Sequence, residues 1–591
     1  MHRLGWIIAL FSVLAAQALS APNCPVYGAE FPKPPQLAEN PIWKAAMQNL
    51  STVFDGVEAD AKNYSFSVQI FSTNPGPPIL FERFHTAQNL PSNTTGVKKV
   101  DAHTVYRIGS VTKIFTALAF LAEAGDKYFS HPITDFVPEL AAINAKRANA
   151  PVDELRTVDW EDINIQSLLS QMSGIERDYL ILGEIVGAIN LTDVVNLGFP
   201  PLAPEQIPEC GGRSLCNRTQ FFAGLENTYP SYAPWKTPAY SNIAFQLLSY
   251  ALENITGRSF ISSLNQTVLR PLDLRDTYYY TANETVGIIP RAVNDTKWNV
   301  YIGDESPSGN MFASAGDLSK LGIAVLNSSL IKPVLTRRWL KPVSFTADHV
   351  AAVGMPWGLR RLQLSDSNPH RTVTAFTKAG GVGDYSSILS IIPEFDVGIT
   401  VMIAGPDTAG IVWSVADYLG QVLLPTLDAV TKDDANARFG GTYRWIGTKN
   451  FTSSLTLATD PDKPGLGASA WVSNNTDMIP VALSLQSGLS VASDPASNST
   501  KQPSVRLYYT GLDSVAANGN KLQSFKAVFE STGGAANPGR GFSTDCGVWI
   551  DYTGVTYAGM PLDEFIFELD GDSKVLSVTN LALNSTLKKV K

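Results

Sequence analysis

A serine and a lysine three residues apart are the chemically most suggestive pair in this chain of 591 residues. Ser110 and Lys113 lie one turn apart if their segment is helical, so the lysine amine can reach the serine hydroxyl. A serine hydroxyl becomes an effective nucleophile only when a nearby base takes its proton. The pair therefore predicts an activated nucleophile that attacks an acyl carbonyl.

Two other segments, 329–332 and 585–588, have a serine and a lysine at the same spacing. Ser110 differs from them because Gly109 precedes it and the apolar run 114–121 follows, which predicts a buried helix behind the serine. The serine of the last segment also lies in an Asn-x-Ser/Thr glycosylation motif, which indicates an exposed position. Ser110 is thus the preferred candidate, with a plain helix N-cap as its structural alternative.

A phenol and an amide stand together further along the chain, at Tyr240 and Asn242. They follow a proline-rich stretch and precede the apolar run 243–252, which predicts a loop that ends at the start of a helix. A phenol close to a lysine can carry protons, so Tyr240 is a candidate acid–base group. The structural alternative is a tyrosine at the edge of the core beside a helix-capping asparagine.

The third candidate segment holds a lysine and two glycines, Lys378, Gly380 and Gly381. The apolar runs 386–392 and 397–403 follow it and predict a hairpin of two buried strands. Glycines let a substrate come close to the backbone of an edge strand. Lys378 could equally be a solvated charge that protects a strand edge.

The triple Ser-x-x-Lys, Tyr-x-Asn and Lys-x-Gly, in this order, resembles the penicillin-recognising serine hydrolases, which include class C β-lactamases, DD-peptidases and related esterases. Residues 163–174, which end in Leu-Leu-Ser-Gln-Met-Ser-Gly, are similar to the family segment between nucleophile and tyrosine. Gln171 replaces the commoner histidine there, and we interpret it as structural. The similarity extends from about residue 40 to about residue 425. The signal-peptide pattern and the many Asn-x-Ser/Thr motifs, described below, suggest a secreted, fungal member of the family.

The resemblance implies an α+β fold, in which an antiparallel sheet is flanked by helices and joined by a helical subdomain. It also implies an acyl-enzyme mechanism, with backbone N–H groups of Ser110 and Gly381 as the oxyanion hole. The site residues carried over are the nucleophile Ser110, the acid–base groups Lys113 and Tyr240, and the substrate-binding residues Asn242, Lys378, Gly380 and Gly381.

The third motif departs from the β-lactamase pattern. Ala379 stands where these enzymes usually carry threonine, and Gly381 where class C enzymes have serine. Both hydroxyls help to hold the carboxylate of a penicillin in the family. The two departures therefore predict that small activated esters are better substrates than β-lactams, while esterase, peptidase and β-lactamase activity all stay open.

The overall charge and the remaining motifs exclude several classes of function. The net charge of −9 and the pI near 5.3 argue against nucleic-acid binding, which needs a basic surface. The chain has neither a His-Glu-x-x-His zinc motif nor a Gly-x-Ser-x-Gly elbow. No metal and no cofactor are expected, and the predicted ligand is a small-molecule or peptide substrate.

Several features predict an exported, extracellular protein. Residues 1–20 have the short basic start, the apolar core and the small-residue end of a signal peptide, and no later stretch suggests a membrane span. Cys210 and Cys216 bracket a glycine-containing loop and are predicted to form a disulfide, which leaves Cys24 and Cys546 paired or free. Candidate glycosylation sites include Asn63, Asn190, Asn217, Asn254, Asn327 and Asn498.

The length of the chain predicts a second domain after the catalytic one. We place the serine-hydrolase domain at 21–430, ending in an apolar helix over 411–430, and a β-rich domain at 431–591. The polar stretch 431–436 has the composition of a linker. Short runs of β-forming residues follow it, among them 547–552.

Two functions of different class fit the sequence. The first is a secreted serine hydrolase that acts on esters or amides. The second is a non-catalytic or acyl-transferring relative that binds a small ligand or a partner. The presence of Ser110, Lys113, Tyr240 and Asn242 together favours catalysis.

Overall fold

The structure is a computed structural model, and it describes residues 23–147, 153–179, 185, 189–207, 210, 214–365, 368–447, 452–487, 502–533, 542 and 546–590. The predicted signal peptide and Asn498 lie outside these residues. Over the described ranges, every helix is too short or too polar to cross a membrane.

The first part of the chain is built on a large antiparallel sheet. Its strands, with a separate pair formed by β3 and β4, are β1 Ser65–Ser72, β2 Ile79–His85, β3 Val105–Arg107, β4 Phe312–Ser314, β5 Ser344–Phe345, β6 Ala351–Val353, β7 Gly358–Ser365, β8 Asn368–Val382, β9 Tyr385–Ile392 and β10 Val397–Ala404. The strand order is β2-β1-β10-β9-β8-β7-β6-β5. The predicted hairpin is confirmed as β9 and β10, in which Ile392 pairs with Val397.

Helices cover both faces of this sheet, which explains why β1, β9 and β10 are buried along their whole length. Helices Pro41–Asp60 and Thr408–Phe439 pack on one face. Helix Ala315–Leu326 packs on the other, between the sheet and a helical region. Among the described residues before 440, the α-helices whose bounds are defined are Pro41–Asp60, Thr112–Ala124, Pro138–Arg147, Ile165–Leu169, Leu191–Asn196, Arg218–Leu225, Ile243–Thr256, Phe260–Leu264, Val293–Thr296, Ser306–Gly309, Ala315–Leu326, Pro333–Trp339 and Thr408–Phe439.

The second part is a closed sheet with the short helix Met478–Gln486 against it. Its strands, with a separate pair formed by β17 and β18, are β11 Gly441–Arg444, β12 Ser454–Asp460, β13 Lys463–Ser473, β14 Thr476–Asp477, β15 Gln502–Val515, β16 Lys521–Thr532, β17 Thr556–Tyr557, β18 Met560–Pro561, β19 Glu564–Leu569, β20 Val575–Asn580 and β21 Ser585–Lys589. The order is β12-β11-β21-β20-β19-β16-β15-β13-β14, and β12 also pairs with β13. The predicted β-rich C-terminal fold is therefore confirmed as a barrel, which protects strand edges from further pairing.

Two details of the sequence prediction are wrong. The stretch 431–436 is not a linker, because helix Thr408–Phe439 continues through it. Its polar side chains share a helix with Ala435 and Phe439, which are buried in the barrel core. The strand expected at 547–552 is instead a 3-10 turn over Val548–Ile550, where Trp549 is exposed and has no sheet face to pack against.

The N-terminal segment joins the two parts. Cys24 forms a disulfide with Cys546, and Phe31 lies in the barrel core. Arg371 on β8 is buried and forms ion pairs with Glu30 at 2.6 Å and with Glu394. A buried charge must be paired in this way, so removing either partner would leave a costly unpaired group. The proposed division at residue 430 stays a prediction.

Candidate active site

Ser110 lies where the chain enters the helical region. The 3-10 turn Gly109–Val111 carries it directly into helix Thr112–Ala124. Lys113 Nζ donates a hydrogen bond to Ser110 Oγ at 3.2 Å. The hydroxyl of Tyr240 donates another to the same oxygen at 2.7 Å. The structure thus brings together three residues that the sequence proposes as nucleophile and acid–base groups.

The amine of Lys113 is enclosed, with no solvent exposure of the residue. It also donates to Asn242 Oδ1 at 2.5 Å and to the carbonyl oxygen of Ser308 at 2.7 Å. Burial, and then the positive charge of Lys378, hold the pKa of Lys113 well below its usual value. The lowered pKa makes this amine easier to deprotonate, as a general base requires.

Tyr240 is held in place by the neighbouring loop. The side-chain oxygen of Gln171 accepts from the backbone N–H of Ser241 at 2.6 Å, and its amide donates to the Ser241 carbonyl at 3.2 Å. This fits the structural interpretation of Gln171. Burial raises the pKa of Tyr240 to about 12, so the phenol keeps its proton in the neutral pH range.

A pair of carboxyl groups lies behind Asn242, and the sequence analysis missed it. Asn242 Nδ2 donates to Asp178 Oδ1 at 2.5 Å, while Glu305 is almost completely buried and hydrogen-bonded to Asp178. Burial, and then the charge of Asp178, raise the pKa of Glu305 to about 8. Because both ends of the Asn242 amide are engaged by Asp178 and Lys113, the structure places Asn242 as a support for the lysine rather than against the cavity.

We expect Glu305→Gln to change how stability depends on pH. The native protein keeps the Glu305 proton up to about pH 8, whereas the unfolded chain loses it above about 4.5. Between these values the unfolded state binds fewer protons, so wild-type stability decreases as pH rises, by up to ~1.4 kcal/mol per pH unit. The variant lacks this contribution. Urea unfolding at several pH values from 5 to 8 checks it, and equal slopes for both proteins would contradict a protonated Glu305.

Strand β8 passes directly beside the nucleophile. A Cβ on Gly380 would come within 2.1 Å of the Ile108 carbonyl oxygen, and one on Gly109 within 2.5 Å of the Gly381 nitrogen. Only glycine therefore permits this approach, and Gly109 additionally has a φ of 49°. Ser110 and Gly381, whose backbone N–H groups are the candidate oxyanion hole, both line one cavity.

Lys378 on β8 is buried beside Tyr240, with its Nζ 5.5 Å from the ring centroid. Burial, and then the charge of Arg177, lower the pKa of Lys378 to about 7. Its Nζ donates to the carbonyl oxygen of Ala379 at 2.7 Å. The interpretation of Lys378 as a solvated edge charge does not fit this burial.

The cavity at the nucleophile has a volume of about 330 Å³, within the usual range of small-molecule sites. Several of its lining residues, among them Arg177 and Trp413, were not predicted from the sequence. Arg177 lies 5.0 Å from the Tyr240 ring centroid, and Trp413 belongs to the helix Thr408–Phe439. Neither stands in a motif, because each comes from a segment distant from the three motifs. The lining residues are Ser110, Arg177, Tyr240, Lys378, Ala379, Gly380, Gly381, Ser386, Ala409, Val412 and Trp413.

The competing serine–lysine pairs lack this environment. The pair at 585–588 lies on β21, where residues three apart point to opposite faces. Ser329 precedes the helix Pro333–Trp339 and is exposed. Another neighbour of the third motif, Asp384, forms an ion pair with Arg291 and does not line the cavity.

The structure joins Cys210 to Cys216 and Cys24 to Cys546. The candidate glycosylation sites that the structure describes are all exposed: Asn63, Asn190, Asn217, Asn254 and Asn327. Their side chains are therefore accessible for modification, which stays a prediction.

The fold and the paired serine, lysine and tyrosine define the class of the β-lactamase-like and transpeptidase-like proteins. The family model described as "Beta-lactamase" matches residues 79–423, and a second, described as "Beta-lactamase-like-like, C-terminal domain", matches 431–591. The chain belongs to the β-lactamase family.

The chain has relatives along nearly its whole length. It is 29% identical to a "Beta-lactamase-like protein" of Arthroderma benhamiae, with 96% of each chain covered. It is 27% identical to a "Probable hydrolase M10" of Phoma sp., covering 92% of this chain and 88% of the relative. A solved β-lactamase/D-alanine carboxypeptidase from Yersinia pestis is 17% identical with a TM-score of 0.46, over 65% of this chain and 98% of that one. The long relatives are fungal hydrolase-like proteins, which agrees with the predicted fungal character.

Proposed function

We propose that this protein is a secreted serine hydrolase that cleaves esters or amides through an acyl-enzyme on Ser110. The observation that carries the proposal is the position of Ser110 Oγ, which is hydrogen-bonded by both a buried lysine amine and a partly buried phenol. A helix N-cap would need neither group. The proposal extends what the family membership shows, which is a β-lactamase-like hydrolase.

The mechanism follows from the protonation states that burial favours. The neutral amine of Lys113 takes the hydroxyl proton as Ser110 Oγ attacks the carbonyl. Backbone N–H groups of Ser110 and Gly381 stabilise the resulting oxyanion, at about 3 kcal/mol per donor. The phenol of Tyr240 then gives its proton to the leaving group and is reprotonated by the Lys113 ammonium. Water, activated in the same way, releases the acyl group.

Incubation with a panel of p-nitrophenyl esters, D-amino-acid peptides and β-lactams, followed by intact mass spectrometry, tests the function. The expected result is an acyl adduct on wild-type protein, mapped to Ser110 by peptide digestion. A panel that leaves the mass unchanged, with no turnover, would favour the non-catalytic alternative. Transfer of the acyl group to an added amine instead of water would identify an acyltransferase.

Export is part of the proposal. The two disulfides are typical of proteins from oxidising compartments, and the described glycosylation motifs are exposed. We further propose that residues 21–430 form the hydrolase unit and 431–591 an accessory barrel.

We expect small activated esters to be better substrates than penicillins or cephalosporins. Ala379 and Gly381 offer no hydroxyl in the cavity, and the nearby hydroxyl of Ser386 is bonded to Thr408 at 2.8 Å. A missing hydrogen bond to a carboxylate costs roughly 1.5–3 kcal/mol, about tenfold to a hundredfold. Values of kcat/KM for both substrate classes, on wild type and Ala379→Thr, should show a shift of the variant towards β-lactams. Wild-type β-lactam turnover above ester turnover would refute this.

A further inference from the structure

A second groove lies between the helix Thr408–Phe439 and the sheet, away from the nucleophile. It has a volume of about 450 Å³ and runs beside β7. We call it the helix-edge groove and define it by its apolar residues Leu362, Leu364, Ala375, Ile388, Trp413 and Ala416. These residues come from three strands and one helix, so secondary structure rather than loops forms the walls.

The helix-edge groove adjoins the nucleophile cavity through an intermediate cavity. An intermediate cavity of about 320 Å³ shares Arg360, Thr377 and Trp413 with the groove. The same intermediate cavity shares Tyr240 and Trp413, among others, with the cavity around the nucleophile. Trp413 lines all three spaces and is 37% exposed. The indole of Trp413 therefore borders both the space at Ser110 and the groove beside the helix.

The groove is suited to a hydrocarbon. Its floor includes the hydroxyls of Thr377 and Ser390, but these lie 3.1 Å apart and are bonded to each other. Its charged residues, Arg360 and Asp417, are partly or fully exposed. Among the described residues that line the groove, no buried charged side chain is therefore available to bind a polar ligand. Ala375 and Ile388 are buried, whereas Leu362, Leu364, Ala416 and Trp413 are partly exposed. An apolar chain that covers the partly exposed side chains is favoured by the hydrophobic effect.

We propose that the helix-edge groove binds a medium-length or long hydrocarbon chain of the substrate while the adjacent carbonyl lies at Ser110. This deepens the proposed hydrolase function and rests on it. The substrate class is a lipophilic ester or amide, with the chain on either the acyl side or the leaving-group side of the scissile bond.

Two series of esters below their micelle concentrations test the proposal. One is p-nitrophenyl esters with acyl chains of two to twelve carbons, and the other is acetate esters of alcohols of increasing length. Burial of each methylene should raise kcat/KM roughly twofold to fourfold in one of the two series until the groove is filled. The series that rises identifies the side of the bond that carries the chain. Flat profiles in both series would overturn the proposal.

Gly420→Phe is designed to fill the groove. Gly420 lines it on the helix, and a Cβ there meets no atom within 4 Å, so the added ring has room. The variant should reduce the ratio of long-chain to acetyl kcat/KM at least tenfold. Ser414→Phe, on an exposed residue of the same helix outside the groove, should keep the wild-type ratio. Equal ratios in all three proteins would contradict the groove.

Direct binding separates the two proposals. Calorimetric titration with dodecanoate should show binding to the wild type and to Ser414→Phe, with at least tenfold weaker binding to Gly420→Phe. If this pattern appears without turnover of any ester, the groove stands and the hydrolase function fails. If acetyl ester turnover appears without chain dependence or dodecanoate binding, the hydrolase stands and the groove fails.

Discussion

Ser110→Ala is expected to reduce kcat/KM for esters by on the order of 10⁴–10⁶-fold. The nucleophile and its acid–base partners act as a unit, so removing one of them removes most of the rate enhancement. The serine lies at a helix start and the substitution removes only one oxygen. The free energy of unfolding should therefore change by about 1 kcal/mol or less. The same variant should not be labelled by a fluorophosphonate probe. Stopped-assay kinetics and in-gel fluorescence measure these two effects.

Ser249→Ala is the matched control for the nucleophile. Ser249 is buried on helix Ile243–Thr256 and donates one hydrogen bond to the Gln246 carbonyl, away from the cavity. It should keep probe labelling and turnover near wild-type levels. Full labelling of Ser110→Ala would show that another residue reacts and would refute the nucleophile assignment.

Tyr240→Phe is expected to reduce turnover by on the order of 10²–10⁴-fold, the usual range for a positioned acid–base group. The phenol donates to Ser110 Oγ, and in the proposed mechanism it gives its proton to the leaving group. Esters with a poor leaving group should lose more rate than p-nitrophenyl esters, because their leaving oxygen needs the proton more. Parallel kinetics on ethyl and p-nitrophenyl esters measure this difference.

The pH profile separates the two acid–base groups. With Lys113 as the base, kcat/KM should rise with pH through its lowered pKa, and Tyr240→Phe should keep that rise. Tyr106→Phe is the control, since this buried phenol contacts Ser67 outside the cavity. A Tyr240 variant with normal kinetics and a lower melting temperature would instead support a core tyrosine.

Much of the site could be predicted from the sequence because its chemistry is local. The spacing of Ser110 and Lys113 is a helical property, and the hairpin after Lys378 is visible as two apolar runs. Asp178 and Glu305 could not be found in this way, because their role depends on the hydrogen bond that brings Asp178 to Asn242. Each is an ordinary acidic residue until the fold places it beside the buried amine.

The second part of the chain shows what sequence patterns could not predict. The short β-forming runs predicted a β-rich second domain. They did not predict how this domain joins the first part of the chain. The polar composition of 431–436 is as typical of an exposed helix face as of a linker, and only the burial of Ala435 and Phe439 decides between them. Trp549 also belongs to a run of β-forming residues, but the structure places it in a 3-10 turn.

The helix Thr408–Phe439 has a consequence for how the molecule can be divided. It is about 48 Å long at 1.5 Å per residue, with Trp413 at the nucleophile cavity and Phe439 inside the barrel. A cut at residue 430 would fall within this helix and would place Phe31, a side chain of the barrel core, on the other fragment. The barrel thus supports the C-terminal end of the helix that forms one wall of the cleft at Ser110. A minimal enzyme without the barrel would need another support for this helix.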